Sequence, residues 1–81
     1  MSSRARAVVE AIAKSLADKP DAVQVTEREA RGQMFLELTM APGDMGRVIG
    51  RQGRTAQAVR TLANLAAEMD GTKVSVDFRD Q

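Results

Sequence analysis

The sequence lacks the residue types on which several classes of protein depend. Its 81 residues include no cysteine, no histidine, no tryptophan and no tyrosine. Without cysteine there is neither a disulfide framework nor a thiolate metal site, which suits a reducing compartment. Without histidine, zinc sites and catalysis by a serine–histidine or cysteine–histidine pair are excluded. No apolar run is long enough to span a bilayer or to form a secretory signal. We therefore expect a cytoplasmic protein without metal or cofactor.

Aromatic rings are scarce as well, since Phe35 and Phe78 are the only two. RNA-recognition motifs and oligonucleotide-binding barrels hold bases on aromatic platforms. The scarcity therefore counts against both of those folds.

The length of the chain and its hydrophobic content are sufficient for one small domain. A chain of 81 residues with 43% hydrophobic residues can form a single thin core, so we expect one domain over residues 1–81. The net charge is only +1, but residues 43–60 hold four arginines and one acid, a net charge of +3, while the rest holds eight bases and ten acids, a net charge of −2. A mildly acidic body with one basic segment is typical of a polyanion-binding surface and also of chance clustering on a solvated face.

Periodicity predicts the elements in the order α-β-β-α-α-β. Apolar residues recur at helical spacing from Ala5 to Leu16, with Ser2 or Ser3 as cap and Pro20 beyond the end. Two runs with alternating apolar residues, 22–26 and 34–40, flank Ala30-Arg31-Gly32 and predict an antiparallel hairpin. A short helix at 45–49, capped by Asp44, precedes a second helix, which ends near Asp70-Gly71, and a last strand at 74–78.

The second long helix has an apolar stripe that we expect to face the core. Because a strand that leads through helices to another strand forms a right-handed crossover, the last strand should pair parallel with the second. The predicted fold is α+β, a three-stranded mixed sheet with all helices on one face. The members of the stripe are Thr55, Ala58, Val59, Leu62, Leu65, Ala66 and Met69.

Between the two predicted helices lies the segment Gly46-Arg-Val-Ile-Gly-Arg-Gln-Gly-Arg-Thr55. A dinucleotide-binding fingerprint would follow a strand directly, and a P-loop would need a lysine, which is absent between Lys19 and Lys73. Gly50 and Gly53 lack a Cβ, so a ligand chain can approach the main chain closely. The next helix offers free N–H groups and the positive end of its dipole to phosphate. The segment is suited to clamp a polyanionic backbone.

The core of this segment, Val48 to Thr55, resembles the V-I-G-x-x-G motif of KH domains, in which a G-x-x-G loop joins two helices. The element order resembles the bacterial, type II form, and the likeness to small stand-alone bacterial KH proteins covers nearly the whole chain. The resemblance implies a protein that binds single-stranded RNA with low sequence specificity. It also implies an RNA chaperone or post-transcriptional regulator, a homodimer or a heterodimer with a larger KH-containing protein, and in some bacteria a link to cell shape.

The resemblance further implies a set of RNA-binding residues. Residues 50–53 would contact the sugar-phosphate backbone, flanked by neighbours on both sides. For the groove that receives bases, the candidates are Leu38, Met40, Val48, Ile49, Val59 and Leu62, for which ordinary core packing is the alternative. Arg60 suits a solvated face as well as an RNA contact. The predicted site comprises Arg47, Val48, Ile49, Gly50, Arg51, Gln52, Gly53, Arg54 and Thr55.

Two other interpretations stay open. A helix-hairpin-helix unit also binds DNA phosphates through glycines between helices, but it has one residue between its glycines and would leave three strand patterns unexplained. A protein-interaction module that dimerises through the loop and the long helix is compatible with RNA binding. An enzyme is not expected, because no set of residues combines a nucleophile, a base and an oxyanion donor. Glu27 and Glu29, beside arginines, suit a solvated sheet edge.

Overall fold

A computed structural model of the chain describes residues 3–80. The order of its elements is the predicted one, with two short 3₁₀ turns added, at Pro20–Ala22 and Arg51–Gly53. The first turn delays the start of the first strand, and that strand extends further through the polar residues than the apolar alternation alone indicates. The elements are α1 (Arg4–Leu16), β1 (Gln24–Ala30), β2 (Gln33–Met40), α2 (Met45–Ile49), α3 (Arg54–Met69) and β3 (Lys73–Asp80).

The three strands form one sheet in the order β1-β2-β3. β1 and β2 pair antiparallel through a two-residue turn, and β2 and β3 pair parallel, as the crossover rule predicts. The turn residues Arg31 and Gly32 both have positive φ, 54° and 78°, which matches the twist of a tight hairpin. The α+β fold with its mixed sheet is therefore confirmed.

The core lies between the helices and one face of the sheet. Alternate residues of β2 point into it and are at most 6% exposed, whereas the residues between them face the open side of the sheet and are half-buried. α1 begins at Arg4, where the hydroxyl of Ser3 accepts a hydrogen bond from the backbone N–H of Arg6 at 3.0 Å. The buried members of β2 are Met34, Leu36, Leu38 and Met40.

The prediction for the buried face of α3 is partly wrong. Val59 and Ala66 are buried as expected, but Leu62, Leu65 and Met69 are 47%, 54% and 71% exposed. Alanines take their place in the core, since small side chains let α3 pack closely on α1, which itself buries Ala5 and Ala13. The larger apolar residues lie on the opposite, unpartnered side. The buried alanines of α3 are Ala56, Ala63, Ala66 and Ala67.

Asp44 does not cap α2 in the way we expected. It occupies the N-cap position, but its side chain makes no capping hydrogen bond there. Its carboxylate oxygen Oδ2 instead accepts a hydrogen bond from the backbone N–H of Lys19 at 3.0 Å, in the loop after α1. The residue is only 5% exposed, so this bond joins the start of α2 to the end of α1 inside the fold.

Candidate nucleic-acid interface

The segment from Gly50 to Gly53, which we call the glycine loop, is a tight turn between α2 and α3. Gly50 has φ 74° and ψ 178°, a conformation that is essentially restricted to glycine. A Cβ at this position would collide with the side chain of Thr55 and would lie 2.8 Å from its Cβ. The loop is closed by a hydrogen bond from the N–H of Gly53 to the carbonyl of Gly50 at 3.3 Å. Gly50 is therefore required both by its backbone conformation and by its contact with α3.

The other end of the glycine loop leaves the start of α3 open. Gly53 is in the left-handed conformation, with φ 71° and ψ 14°, and no side chain caps the helix there. A Cβ added at Gly53 would meet no atom within 4 Å. The N–H of Arg54 donates to the carbonyl of Arg51, whereas the next N–H groups in the first turn of α3 have no partner within the helix and remain for a ligand, together with the positive end of the helix dipole. This geometry suits a phosphate group.

Two arginines and one glutamine surround this opening. Arg51, Gln52 and Arg54 are all exposed. Gln52 has φ 58° and ψ 24°, so its side chain projects from the tip of the loop, where its Oε1 accepts a hydrogen bond from Nη2 of Arg54 at 3.3 Å. No carboxylate whose position the structure describes pairs with Arg51 or Arg54. Both cations are therefore available to a polyanion.

Arg47, a further residue of the predicted site, has its charge partly neutralised within the chain. Its Nη2 lies 2.9 Å from Oδ2 of Asp18, and its Nε lies 3.9 Å from Oδ1 of Asp44. Asp44 thus contacts both Arg47 and the loop after α1. The sequence did not indicate this pairing, since Asp18 lies 29 positions before Arg47. The two carboxylates weaken Arg47 as a phosphate ligand and fix α2, which carries the glycine loop, against α1.

The apolar residues beside the loop are of two kinds, since some pack in the core and others lie at the surface of the domain. Val48 is fully buried and anchors α2 in the core, whereas Ile49 is 37% exposed. Of the six groove candidates, Ile49 and Leu62 are exposed, and the other four belong to the core, so direct contact with bases is open only to those two side chains. The prediction that Leu62 packs in the core is wrong. The buried candidates are Leu38, Met40, Val48 and Val59.

Arg60 lies along β3. Its Nε donates a hydrogen bond to the carbonyl oxygen of Val76 at 3.3 Å, and its guanidinium carbon lies 4.9 Å from the centre of the Phe78 ring. The side chain therefore packs on a strand of the sheet, and its charge is engaged with an aromatic ring.

The exposed side of α3 carries a line of apolar residues, although the helical periodicity predicts that they face the core. Its members are spaced by four, three and four residues, so they follow one line along the helix. Its three large side chains are 47% to 71% exposed, and the one hydrogen bond recorded for them among the described residues runs from Nη1 of Arg4 to Sδ of Met69 at 3.8 Å. An exposed apolar line of this length is typical of a surface that contacts a partner. We call this surface the α3 face, and it consists of Ala58, Leu62, Leu65 and Met69.

Comparison with known proteins finds matches that cover most of the chain. A family model described as the KH domain of KhpA/KhpB matches residues 6–78. The chain is 50% identical over 71 residues to a protein named RNA-binding protein KhpA from Caldanaerobacter subterraneus subsp. tengcongensis, a match that covers 88% of this chain and 95% of that relative. It is 43% identical over 75 residues to the protein of the same name from Halalkalibacterium halodurans, covering 93% and 99% of the two chains.

The fold also resembles a solved structure of much lower sequence identity. Era, in complex with MgGDPNP and nucleotides 1506–1542 of 16S ribosomal RNA, matches with a TM-score of 0.64 and 17% identity. The match covers 94% of this chain and only 29% of the Era chain, so it concerns the fold of one part of that protein. The fold is the type II KH fold. None of the helices within residues 3–80 combines the length and hydropathy that a bilayer crossing needs.

Proposed function

The chain belongs to the KhpA/KhpB family of KH domains, and on that premise we propose that it binds single-stranded RNA by holding the sugar-phosphate backbone at the glycine loop. The family is one of RNA-binding proteins and not of enzymes. The RNA would lie on Gly50 and Gly53, with the first N–H groups of α3 and the cations of Arg51 and Arg54 facing its phosphates. We place this activity in the cytoplasm.

The observation that carries the proposal is the conformation of Gly50. A positive φ combined with an extended ψ and with close packing on Thr55 makes any other residue at this position strained. Backbone of this kind commonly marks a functional site, where the surrounding structure maintains a strained or glycine-dependent conformation. Here it exposes main chain directly beside a helix start without a side-chain cap and beside two exposed arginines, neither of which has a carboxylate partner among the side chains that the structure describes.

Each domain should bind RNA weakly and with little sequence preference. The loop offers only a few phosphate contacts, and phosphate contacts carry no sequence information. The exposed aliphatic surface available to bases is limited to Ile49 and Leu62. Weak, sequence-tolerant binding is the property required of an RNA chaperone or of a general post-transcriptional regulator, which is the role we propose.

The test replaces the two side chains at the tip of the loop. The double variant Arg51→Asp with Gln52→Asp should abolish retention of a single-stranded RNA in filter binding, because two carboxylates would repel the phosphates at the clamp. Its circular dichroism spectrum should be unchanged, since both side chains are exposed. RNA binding equal to that of the wild-type chain would show that the clamp is elsewhere.

A matched control separates the clamp from the effect of net charge. Lys14→Asp with Gln24→Asp changes the net charge by the same amount at exposed positions on α1 and β1, outside the glycine loop. We expect this control to lower the affinity only slightly. If both double variants lose the same affinity, the attraction is a property of the total charge and not of the glycine loop.

A second function is supported by the α3 face. Its spacing is that of one side of a coiled-coil helix, in which two helices bury such a line of apolar residues against each other. We propose that the face pairs with the same face of a second copy of this chain. A larger KhpB-like protein with a KH domain would compete for it and form a heterodimer. Pairing would cover Leu62 and leave Ile49 to contact bases, and it would place two glycine loops in one particle, which raises avidity without new RNA contacts.

Sedimentation or light scattering tests this pairing. The wild-type chain should have a mass near twice 8.7 kDa at high micromolar concentration, and Leu65→Glu should restore the mass of one chain. Asn64→Glu, at the neighbouring exposed position, is the matched control and should leave the dimer intact. A wild-type chain that stays monomeric, or a Leu65 variant that still dimerises, would exclude the α3 face as the contact.

A further inference from the structure

The open face of the sheet has a basic half that the glycine loop does not use. It lies next to the β1–β2 turn and combines cations with an aromatic ring and an amide. The strand register joins its members, because Arg28 is opposite Phe35, Phe35 is opposite Ser75, and Gln33 is opposite Lys73. We call this surface the hairpin patch, and it consists of Arg28, Arg31, Gln33, Phe35, Lys73 and Ser75.

The contacts within the hairpin patch are those of a nucleic-acid surface. The guanidinium carbon of Arg28 lies 4.7 Å from the centre of the Phe35 ring, and Arg28 is itself exposed, so the pair presents a flat, cationic stack. Bases stack on aromatic rings and on guanidinium planes. Beside the stack, Nε2 of Gln33 donates a hydrogen bond to the hydroxyl of Ser75 at 2.6 Å, which leaves the amide oxygen and a second amide hydrogen for a ligand.

An open depression of about 580 Å³ continues the patch around the turn. Arg31, Gln33 and Lys73 line it, together with the glycines of two turns and a single carboxylate, Glu68. No carboxylate whose position the structure describes pairs with Arg28, Arg31 or Lys73. The other half of the open face is different, since it holds Glu37 and Asp77. That half also holds Arg79, but its Nε lies 3.2 Å from Oε2 of Glu37, so the cations of the open face that lack a carboxylate partner among the described side chains lie in the half that carries the aromatic stack.

The conformation of Arg31 also indicates a role for its side chain. It has φ 54°, and a tight hairpin turn of this type favours asparagine or glycine at its first central position. Arginine is strained there, and the residue is exposed. A turn that served only to reverse the chain would be more stable with asparagine.

We propose that the hairpin patch is a second site for single-stranded RNA, which stacks a base on Arg28 and Phe35 and binds phosphates with Arg31 and Lys73. The patch and the glycine loop lie at opposite ends of β2. The two ends of this strand are roughly 23 Å apart at the usual rise per residue. One domain then contacts two RNA segments at once, either two strands or two parts of one long strand. The inference rests on the proposed RNA binding for its ligand, and it adds a second place where that ligand binds.

The test uses the loop variant Arg51→Asp with Gln52→Asp, in which the first site is disabled. On addition of a single-stranded RNA of about 20 nucleotides, the amide signals of Gly32, Gln33 and Lys73 should still shift in NMR spectra. The patch inference is overturned if the amides of Gly32, Gln33 and Lys73 shift neither in the loop variant nor in the wild-type chain. The glycine-loop proposal stands in that case, provided that the loop amides of the wild-type chain shift. If no amide of the wild type moves, both fail.

A pair of triple variants then measures the contribution of the patch to affinity. The patch variant replaces Arg28, Arg31 and Lys73 by glutamine. The control also replaces three cations by glutamine and so removes the same charge. Each of these three cations already pairs with a carboxylate. These control residues are Arg4, Lys14 and Arg79.

In the loop-variant background, where binding is too weak for retention on a filter, the patch triple should lose the amide shifts that RNA still induces, and the control triple should retain them. In the wild-type background, the slope of log K against log salt should fall by about 1.4 for the patch triple, because each of the two lost phosphate contacts on a single strand lowers it by about 0.7. Equal losses in both triples would reduce the patch to a net-charge effect. Unchanged RNA binding with impaired self-association would identify a protein surface instead, and either result overturns the proposal.

Arg31→Asn gives a further test that does not depend on loss of folding. Asparagine tolerates the positive φ of the turn, so the variant should melt at a higher temperature than the wild-type chain and yet bind RNA more weakly. A more stable variant with undiminished affinity would show that Arg31 has no part in the site.

Discussion

Three glycines around the candidate site should respond differently to the same change, replacement by alanine. Gly46 lies in α2 without a positive φ, and an added Cβ meets no atom within 4 Å. Alanine is favoured over glycine in a helix by roughly 0.5–1 kcal/mol, so Gly46→Ala should stabilise the fold. Gly53 also has space, but its left-handed conformation costs a residue with a Cβ about 1–2 kcal/mol.

Gly50→Ala should be the most damaging of the three. Its backbone conformation adds strain on the order of 1–3 kcal/mol, and the collision with Thr55 adds about 1–3 kcal/mol of overpacking. Together they cost roughly 2–6 kcal/mol, against a total stability of about 4–12 kcal/mol for a domain of this length. The variant should therefore be partly unfolded or close to it at room temperature.

Urea unfolding followed by circular dichroism measures the three changes on one scale, and thermal melting checks their order. Each kcal/mol corresponds to about 4–8 °C in a domain of this size. The expected order of stability is Gly46→Ala, the wild-type chain, Gly53→Ala and then Gly50→Ala. Equal destabilisation by the Gly50 and Gly53 variants would refute the argument, because only Gly50 combines the collision with the glycine-only conformation.

Two further predictions concern charged residues. Arg47→Ala should lower the RNA affinity and its salt dependence less than Arg51→Ala does, because Arg47 already pairs with carboxylates. Titrations with RNA at several salt concentrations compare the two variants, and an equal change in the slope of log K against log salt would contradict the reasoning. The hydrogen bond and charge of Lys14 lower the pKa of Glu10, so the pair stabilises the fold at neutral pH and loses that contribution as the pH falls through the lowered pKa. Lys14→Gln should raise the pKa of Glu10 toward its ordinary value, as an NMR titration would show, and an unchanged pKa would exclude the pairing in solution.

The fold was largely predictable because its signals are local. Alternating residues identify β2, and the tight turn at Arg31-Gly32 fixes the antiparallel pairing with β1. The parallel pairing of β3 follows from the handedness of crossovers and not from any residue. The start of β1 was less clear, because Pro20 to Ala22 form a 3₁₀ turn whose sequence does not differ from that of an ordinary loop.

The orientation of α3 was not predictable from its apolar pattern. The pattern counts Ala63 and Leu62 alike as apolar, but close packing on α1 selects the smaller side chain for the core. A stripe wide enough to include both cannot show which edge of it is buried. The sequence gives no measure of the distance between the two helices, and that distance decides which side chains fit.

In the candidate site, the glycines were predictable and the ion pairs were not. A motif indicates where backbone must be exposed, because only glycine permits that geometry. Arg47 is different, since its partners depend on how the loop after α1 passes α2 in the folded chain. The hairpin patch was missed for a similar reason, because Phe35 and Lys73 come together only through the pairing of β2 with β3.

The central claim is that RNA lies on the glycine loop, and NMR titration of the wild-type chain with a single-stranded tetranucleotide tests it most directly. At substoichiometric RNA, the largest and earliest amide shifts should belong to Gly50, Gly53 and the first turn of α3, because the RNA backbone would lie directly against the main chain of these residues. Early shifts confined to the α3 face or to the sheet, with the loop amides unmoved up to saturation, would contradict the account.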